Sequence, residues 1–169
     1  MPAGGSQERF VALLEEHRKI LFKVAGAYCP NPEDRRDLVQ EMTAQLWRAF
    51  PRYDERFRFS TWMYRIALNV AISFSRRQSV RARHAAPAGV ELLEASADVS
   101  AAAPGDEDLR LLDRFLGGLE ALDRALLLLY LDGNRYDAIA GVLGISETNV
   151  GTKLNRIKER LRRELAGNA

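Results

Sequence analysis

Residues 135–165 read RYDAIAGVLGISETNVGTKLNRIKERLRREL, and this stretch decides the fold of the C-terminal part of the chain. Ile139 and Leu143 fall on one face of a short helix, and Gly144 offers the left-handed conformation that ends many helices. Ser146 is a preferred N-cap residue, and a second helical pattern follows it. The spacing predicts two helices joined by a tight turn, a helix-turn-helix.

The second of these helices has two distinct faces. Its apolar residues recur every three or four positions: Val150, Leu154, Ile157, Leu161 and Leu165. Its polar and basic residues form another stripe: Asn149, Lys153, Arg156, Arg160 and Arg163. One face can pack while the other meets phosphates and base edges, so DNA is a candidate partner. The alternative from spacing alone is a solvated face of a helical bundle.

Length and composition exclude several classes of protein. The 169 residues are 47% hydrophobic, enough for one domain or two small ones. No apolar run is long enough for a membrane span, and residues 1–7 lack the pattern of a signal peptide, so we expect a cytoplasmic protein without membrane insertion. Cys29 is the single cysteine, and with only His17 and His84 it cannot form a zinc site. We expect no metal, no cofactor and no catalytic residues.

Charge is segregated along the chain. Residues 1–84 carry 15 lysines and arginines against 9 acidic residues, and residues 109–169 carry 10 against 8. Residues 85–108 carry 6 acidic residues and no lysine or arginine, and they contain alanine, proline and glycine without an apolar period. We therefore predict an acidic, flexible linker at 85–108 between domains at 1–84 and 109–169.

The N-terminal block shows helical patterns and no strand pattern. A first helix is broken at residues 29–32, and Asn31 and Pro32 are an N-cap and a first helical residue for the second. The second helix has the inner stripe Leu38, Met42 and Leu46 and an outer face with acidic residues and a tryptophan: Asp37, Gln40, Glu41, Gln45, Trp47 and Arg48. The fold class is all-α, with two small helical domains of which the second ends in the helix-turn-helix.

A third helix follows Phe59-Ser60-Thr61 and mixes aromatic and basic residues. Its predicted inner residues are Met63, Ile66, Ala67, Val70 and Phe74. Its other faces are predicted to present Trp62, Tyr64, Arg65, Asn69, Arg76 and Arg77. Aromatic rings stack on unpaired bases while cations follow the backbone, so these faces suit single-stranded nucleic acid. Core packing is the favoured alternative for the Trp62 ring.

Three ordered motifs together resemble a known family. Residues 37–41 read DLVQE and residues 46–48 read LWR, and residues 59–71 read FSTWMYRIALNVA. Residues 136–140 read YDAIA, and LGIS and VGTKLNR follow within the helix-turn-helix. The chain resembles the small, extracytoplasmic-function (ECF) sigma factors of bacterial RNA polymerase, which keep only the two promoter-reading domains.

The resemblance implies roles for three sets of residues. Four would bind the clamp helices of the largest subunit of core RNA polymerase: Asp37, Gln40, Glu41 and Trp47. Seven would bind the melted −10 element: Phe59, Ser60, Thr61, Arg65, Asn69, Arg76 and Arg77. Eight would bind the −35 element: Ser146, Thr148, Asn149, Thr152, Lys153, Asn155, Arg156 and Arg160. The resemblance also implies contact with the polymerase flap and inhibition by an anti-sigma factor placed between the domains.

Two other classes of function are alternatives to a sigma factor. A stand-alone helix-turn-helix transcriptional regulator would use the C-terminal domain alone, but it leaves the pattern from Trp62 to Arg77 unexplained. An enzyme needs a nucleophile or metal constellation, and the histidines, the cysteine and the scattered carboxylates form none.

Overall fold

The computed structural model describes residues 3–84 and 107–167, and within these ranges the chain is helical without any strand. A 3₁₀ turn spans Phe50–Arg52. The seven α-helices are α1 Ala3–Tyr28, α2 Pro32–Ala49, α3 Phe59–His84, α4 Glu107–Gly117, α5 Ala121–Leu131, α6 Tyr136–Leu143 and α7 Glu147–Gly167. The predicted all-α class is confirmed.

Helices α1, α2 and α3 pack together, and we call them the first bundle. Asn31 has extended backbone angles, and its side chain accepts a hydrogen bond of 2.8 Å from the backbone N–H of Glu33, as an N-cap does. Leu38, Met42 and Leu46 of α2 are fully buried. The periodicity of α2 therefore identified its buried face correctly.

Helices α4 to α7 form the second bundle, which ends in the predicted helix-turn-helix. Gly144 lies in the left-handed region at φ 70° and ends α6. The Ser146 hydroxyl accepts a hydrogen bond of 3.1 Å from the backbone N–H of Asn149 and so caps α7. Leu154 is fully buried, whereas Leu165, at the far end of the same stripe, is 45% exposed. The apolar stripe of α7 is therefore buried from Val150 to Ile157, partly buried at Leu161 and exposed at Leu165.

The two bundles lie against each other. Helix α3 contacts both α5 and α6, and α1 contacts α4 and α5. The buried residues of the two bundles form one continuous hydrophobic cluster. Helix α4 begins at Glu107, within the segment predicted as linker, and residues 85–106 of that segment lie outside the described residues.

Helix α3 buries more of its surface than its sequence predicts. Met63 and Ala67 are buried as predicted, whereas Val70 is only partly buried. A second stripe of α3 is buried as well: Tyr64, Leu68, Ala71 and Ile72. Of these, Tyr64 was predicted to lie on an outer face. The assignment of Tyr64 to a nucleic-acid-binding face is therefore wrong, because helices pack against two sides of α3 and the Tyr64 ring is only 2% exposed.

Candidate functional site

The predicted polymerase-binding residues lie on the outer face of α2. Asp37 and Gln40 are exposed, and Trp47 is 43% exposed. The Trp47 ring packs against the ring of Phe10 in α1, with 5.1 Å between the two ring centroids. An apolar groove of about 510 Å³ runs between α1 and α2, bordered by Val11 and Trp47. This face combines a carboxylate, an amide and an aromatic ring beside apolar surface, which is a composition found at protein interfaces.

Glu41, the fourth of these residues, lies at the side of α2 that faces α3. Its carboxylate forms an ion pair with Arg77 of α3, with 3.2 Å between Oε1 and Nη2. The structure therefore joins one predicted polymerase-binding residue to one predicted −10 residue. Both side chains remain partly exposed, so the pair contributes little to stability by itself.

The predicted −10 residues divide into an exposed face and a packed end. Arg65, Asn69 and Arg76 are all exposed, and their spacing of four and seven residues places them on one face of α3. Two guanidinium groups and an amide on one open face can contact phosphates and unpaired bases. This face lies along the middle of α3, on a side that no helix of the described ranges covers.

The start of α3 is packed rather than open. Phe59 is 5% exposed and lies within 5.4 Å, between ring centroids, of Tyr53, Trp62 and His17. Ser60 and Thr61 are partly buried. The aromatic cluster therefore anchors the first turn of α3, and the expected core role of Trp62 is consistent with its partial burial.

The loop before α3 contains an ion pair between two of its own residues, Asp54 and Arg56. The Asp54 carboxylate accepts two hydrogen bonds from the Arg56 guanidinium, at 2.9 and 2.7 Å. These bonds hold the pKa of Asp54 below its ordinary value. Phe57, in the same loop, is 65% exposed. The loop therefore presents an aromatic ring and cations beside the start of α3.

The predicted −35 residues occupy the N-terminal half and the outer side of α7. Seven of them are exposed and only Lys153 is partly buried; the exposed residues are Ser146, Thr148, Asn149, Thr152, Asn155, Arg156 and Arg160. Thr148, Thr152, Asn155 and Arg156 follow one another at steps of four, three and one residue, so they share the face opposite Leu154. This face has the donors and acceptors that read base edges in a major groove.

Lys153 and Arg160 lie at the border of this face and contact other parts of the second bundle. The Lys153 ammonium lies 3.6 Å from the carboxylate of Asp123 in α5. Arg160 bonds Glu164 at 3.2 Å and lies over the ring of Phe115 at 5.6 Å. Their cationic ends are therefore partly engaged within the bundle.

The sequence patterns missed one residue of the exposed polar face of α7. Glu159 is exposed and falls seven residues after Thr152 and four after Asn155, so it shares their face. The sequence could have identified Glu159, because the 3.6-residue period of a helix places this carboxylate on the outer face. Glu159 lies in the fourth turn of α7, so its negative charge lies C-terminal to the polar residues Thr148 to Arg156.

The described ranges, 3–84 and 107–167, contain no cluster of histidine, cysteine, aspartate and glutamate that could hold a metal ion. No helix in the same ranges is both long and apolar enough to cross a membrane.

Comparisons with known proteins match both bundles. The model of sigma-70 region 2 matches residues 13–81, and the model of sigma-70 region 4 matches residues 109–161. The chain is 27% identical to the RNA polymerase sigma factor CnrH of Cupriavidus metallidurans, over 94% of this chain and 87% of that protein. It is 28% identical to the ECF RNA polymerase sigma-E factor of Escherichia coli, over 92% of this chain and 85% of that protein.

Solved structures show the same fold. CnrH in complex with the cytosolic domain of CnrY has a TM-score of 0.69 and 22% identity, covering 96% of this chain and 91% of that one. The sigma factor RpoE of Bartonella quintana, in complex with the anti-sigma factor NepR, has a TM-score of 0.63 and 18% identity, covering 95% and 96%. With both sigma-70 regions matched in order along one helical chain, the protein belongs to the ECF sigma factors of bacterial RNA polymerase.

Proposed function

We propose that this chain binds core RNA polymerase and directs it to promoters by reading a −10 element with α3 and a −35 element with α7. The observation that carries the proposal is the pair of open polar faces on α3 and α7, each in the sigma-70 region that the comparisons match. No catalytic group is needed, because binding free energy alone opens the duplex. The domain limits 1–84 and 109–169, with a linker between them, are part of this proposal.

The α2 surface is proposed to bind the clamp helices of the largest polymerase subunit. Asp37, Gln40 and Trp47 would form the centre of the interface, with the α1–α2 groove beside them. Glu41 would contribute less, since Arg77 already neutralises it. Exposed aromatic side chains next to apolar grooves are common hot spots of protein interfaces.

The α3 surface is proposed to bind the melted −10 element. Arg65 and Arg76 would contact phosphates, and Asn69 would contact an unpaired base. Ser60 and Thr61 would line the site at the start of α3, where Phe59 supports them from beneath. Unstacking a base costs a few kcal/mol, which these contacts must offset.

The α7 surface is proposed to bind the −35 element in the major groove. Asn149 and Arg156 are the strongest candidates for base contacts, because amide and guanidinium groups bond adenine and guanine bidentately. Ser146, Thr148, Thr152 and Asn155 would contact phosphates or bases around them. Lys153 and Arg160 would bind phosphates after leaving their contacts within the bundle.

Other partners follow from the relatives. CnrH was solved with the cytosolic domain of CnrY, and the Bartonella sigma factor with the anti-sigma factor NepR. We therefore propose an anti-sigma factor as a partner of this chain also. The second bundle would contact the polymerase flap. The protein would act in the cytoplasm, where RNA polymerase and promoter DNA are found.

Run-off transcription from fragmented genomic DNA tests the whole proposal. Purified core polymerase is incubated with and without the protein, and the 5′ ends of the products are sequenced. New starts that share two spaced upstream elements are expected. A protein that yields no new starts, but binds a duplex operator without polymerase, would instead be a stand-alone helix-turn-helix regulator, a reading that the region 2 match disfavours.

Polymerase capture tests the α2 surface separately. Trp47→Ala should weaken core binding about 30-fold, the effect of losing a hot-spot contact of about 2 kcal/mol. Leu165→Ala is the matched control, because its side chain is similarly exposed but lies on α7. Equal affinities of the two variants for core RNA polymerase would show that the α2 surface is not part of the polymerase interface.

A further inference from the structure

The three cations of the predicted −35 set are engaged to different degrees. Arg156 is exposed and forms no ion pair with any residue in the described part of the chain. Arg160 pairs with Glu164, which lies one turn further along the same helix. Lys153 pairs with Asp123, which lies in α5. Lys153 is therefore the −35 cation whose charge is paired with a carboxylate of another helix.

The hydrophobic core fixes the position of the Lys153–Asp123 pair. Leu126, about one turn after Asp123, and Leu154, directly after Lys153, are both fully buried. Helices α5 and α7 contact each other, and both leucines belong to the same hydrophobic cluster. The two paired side chains are each 30% exposed, so they lie at the border between this core and the open face of α7. The core, rather than the ion pair, therefore sets where the two backbones lie.

Asp123 is stabilised in its place independently of Lys153. It lies in the first turn of α5, where the partial positive charge of a helix N-terminus stabilises a carboxylate. The carboxylate therefore stays beside α7 whether or not the Lys153 ammonium is bound to it. Asp123 is thus a fixed negative charge at the edge of the proposed −35 surface.

The distance between the two charged groups allows Lys153 to exchange partners. Its Nζ lies 3.6 Å from Oδ1 of Asp123, which is within the range of an ion pair but beyond that of a hydrogen bond. A phosphate oxygen can approach an ammonium to about 2.8 Å and accept a charge-assisted hydrogen bond. Phosphate is therefore a stronger partner for Lys153 than the carboxylate at its observed distance, but binding phosphate requires loss of the ion pair.

We propose that Asp123 is a positioning residue of the −35 surface, which competes with DNA phosphate for Lys153 and so limits the affinity of α7 for DNA. This inference rests on the proposed function of α7. Phosphate contacts supply essentially all of the affinity for DNA outside promoters. By holding Lys153, Asp123 lowers this sequence-independent part of the affinity, and base contacts supply a larger share of the rest.

A purely structural role of Asp123 makes different predictions. If the ion pair only stabilised the second bundle, its loss would lower the free energy of unfolding and leave the DNA affinity of the folded protein unchanged. If Asp123 competes with phosphate, its loss raises the DNA affinity and makes binding more sensitive to salt, because the freed ammonium displaces a counterion from DNA. DNA binding at several salt concentrations therefore distinguishes the two roles.

The first measurement uses holoenzyme assembled from core polymerase and the full chain. Its affinity for a labelled duplex that carries the promoter is determined by titration from low to high salt. Asp123→Asn keeps the size of the side chain and removes its charge, and it should raise the affinity at low salt about two- to fivefold, the range for a partly exposed ion pair. The slope of log K against log salt should become steeper by up to about 0.9, the value of one phosphate contact.

A double-mutant cycle identifies Lys153 as the cation concerned. In a Lys153→Gln background, Asp123→Asn should no longer raise the affinity, because no ammonium is left to release. Asp113→Asn is the matched control, because it removes an exposed carboxylate of α4 that borders a groove facing the first bundle. This control should bind DNA like the wild type. A gain that persists without Lys153, or that Asp113→Asn reproduces, would overturn the competition.

A duplex with a scrambled −35 sequence tests the phosphate assignment. Phosphate contacts carry no sequence information, so Asp123→Asn should raise the affinity for the promoter duplex and for the scrambled duplex by the same factor. Asp123→Glu keeps the carboxylate and should bind both duplexes with nearly the wild-type affinity. A gain confined to the promoter duplex would mean that Lys153 reads a base and would contradict the proposal.

Urea unfolding of the free variants completes the test. A lower urea midpoint for Asp123→Asn, together with an unchanged DNA affinity and salt slope, would assign Asp123 a structural role alone and overturn the proposal. A wild-type holoenzyme that binds the promoter and scrambled duplexes equally would remove the proposed −35 function instead. In that case the effect of Asp123→Asn on the scrambled duplex still measures the competition for Lys153.

Discussion

Helices α3 and α7 are both long, both carry arginines on an open face and both belong to a proposed DNA-binding surface, yet they differ in burial. Helix α7 lies at the surface of its bundle, where Val150, Leu154 and Ile157 form one buried stripe. Helix α3 is packed on two sides, so Met63 and Leu68 are both buried although they point in different directions. Periodicity identifies the functional face of a helix that is buried along one side and misleads for a helix that is buried along two.

The largest expected effect tests this difference in burial. Leu68→Ala should lower the free energy of unfolding by about 2 to 5 kcal/mol, because a leucine that is 1% exposed leaves a cavity. Leu165→Ala, on the α7 stripe but 45% exposed, should change it by about 0.5 kcal/mol or less. Urea unfolding measures both. A larger loss of stability for Leu165→Ala than for Leu68→Ala would mean that the second stripe of α3 is exposed to solvent.

The next effect concerns the open face of α7. Arg156→Ala should weaken binding of the polymerase holoenzyme to duplex promoter DNA by about 1 to 3 kcal/mol, the value of a bidentate base contact. Lys158→Ala removes the same charge from the same helix, but the Lys158 ammonium lies 4.3 Å from the Tyr130 ring centroid, away from this face. Gel-shift titration of promoter DNA with each holoenzyme measures the affinities of the two variants. Equal losses would show that α7 contributes only general positive charge.

A smaller effect distinguishes two arginines of α3. Arg65 is exposed, whereas Arg77 is paired with Glu41. Arg65→Ala should reduce the salt dependence of holoenzyme binding to single-stranded −10 DNA, lowering the slope of log K against log salt by about 0.7. Arg77→Ala should change this slope less. Filter binding at several salt concentrations measures both slopes, and a larger change for Arg77 would contradict the assigned face.

The smallest effect is a pH dependence of stability, caused by groups buried where the two bundles meet. Burial raises the pKa of Tyr28 and of Tyr64 above their ordinary value, and it raises the pKa of Cys29 to about 11. Above about pH 9 to 10 these groups ionise in the unfolded chain but keep their protons in the folded state. Their contribution to the free energy of unfolding is therefore present at neutral pH and is lost as the pH rises above that range.

Urea midpoints measured at pH 7.5, 9 and 10.5 test this direction. We expect little change up to pH 9 and a lower midpoint at pH 10.5. The Tyr28→Phe/Tyr64→Phe double variant should lose less stability over the same range, because its two phenols cannot ionise. An equal fall of the urea midpoint in the variant and the wild type would show that other groups cause the pH dependence.

Local patterns predicted the helices and several of their faces. Asn31 and Ser146 act as N-caps and Gly144 ends α6 because these signals depend on neighbours within a few residues. The open positions of Arg65 and Arg156 were also predicted from helical spacing. The contact between Tyr28 of α1 and Arg124 of α5 had no such signal, because these are single residues far apart in sequence.

The sequence by itself determined an all-helical chain, the helix-turn-helix and three ordered motifs of an ECF sigma factor, since short-range hydrogen bonding and amphipathic spacing specify each. Only the tertiary structure decided that Tyr64 is buried, that Glu41 pairs with Arg77 and that Asp132 joins the bundles. These outcomes depend on which helices meet. Packing between distant segments brings together side chains whose partners no local period can identify.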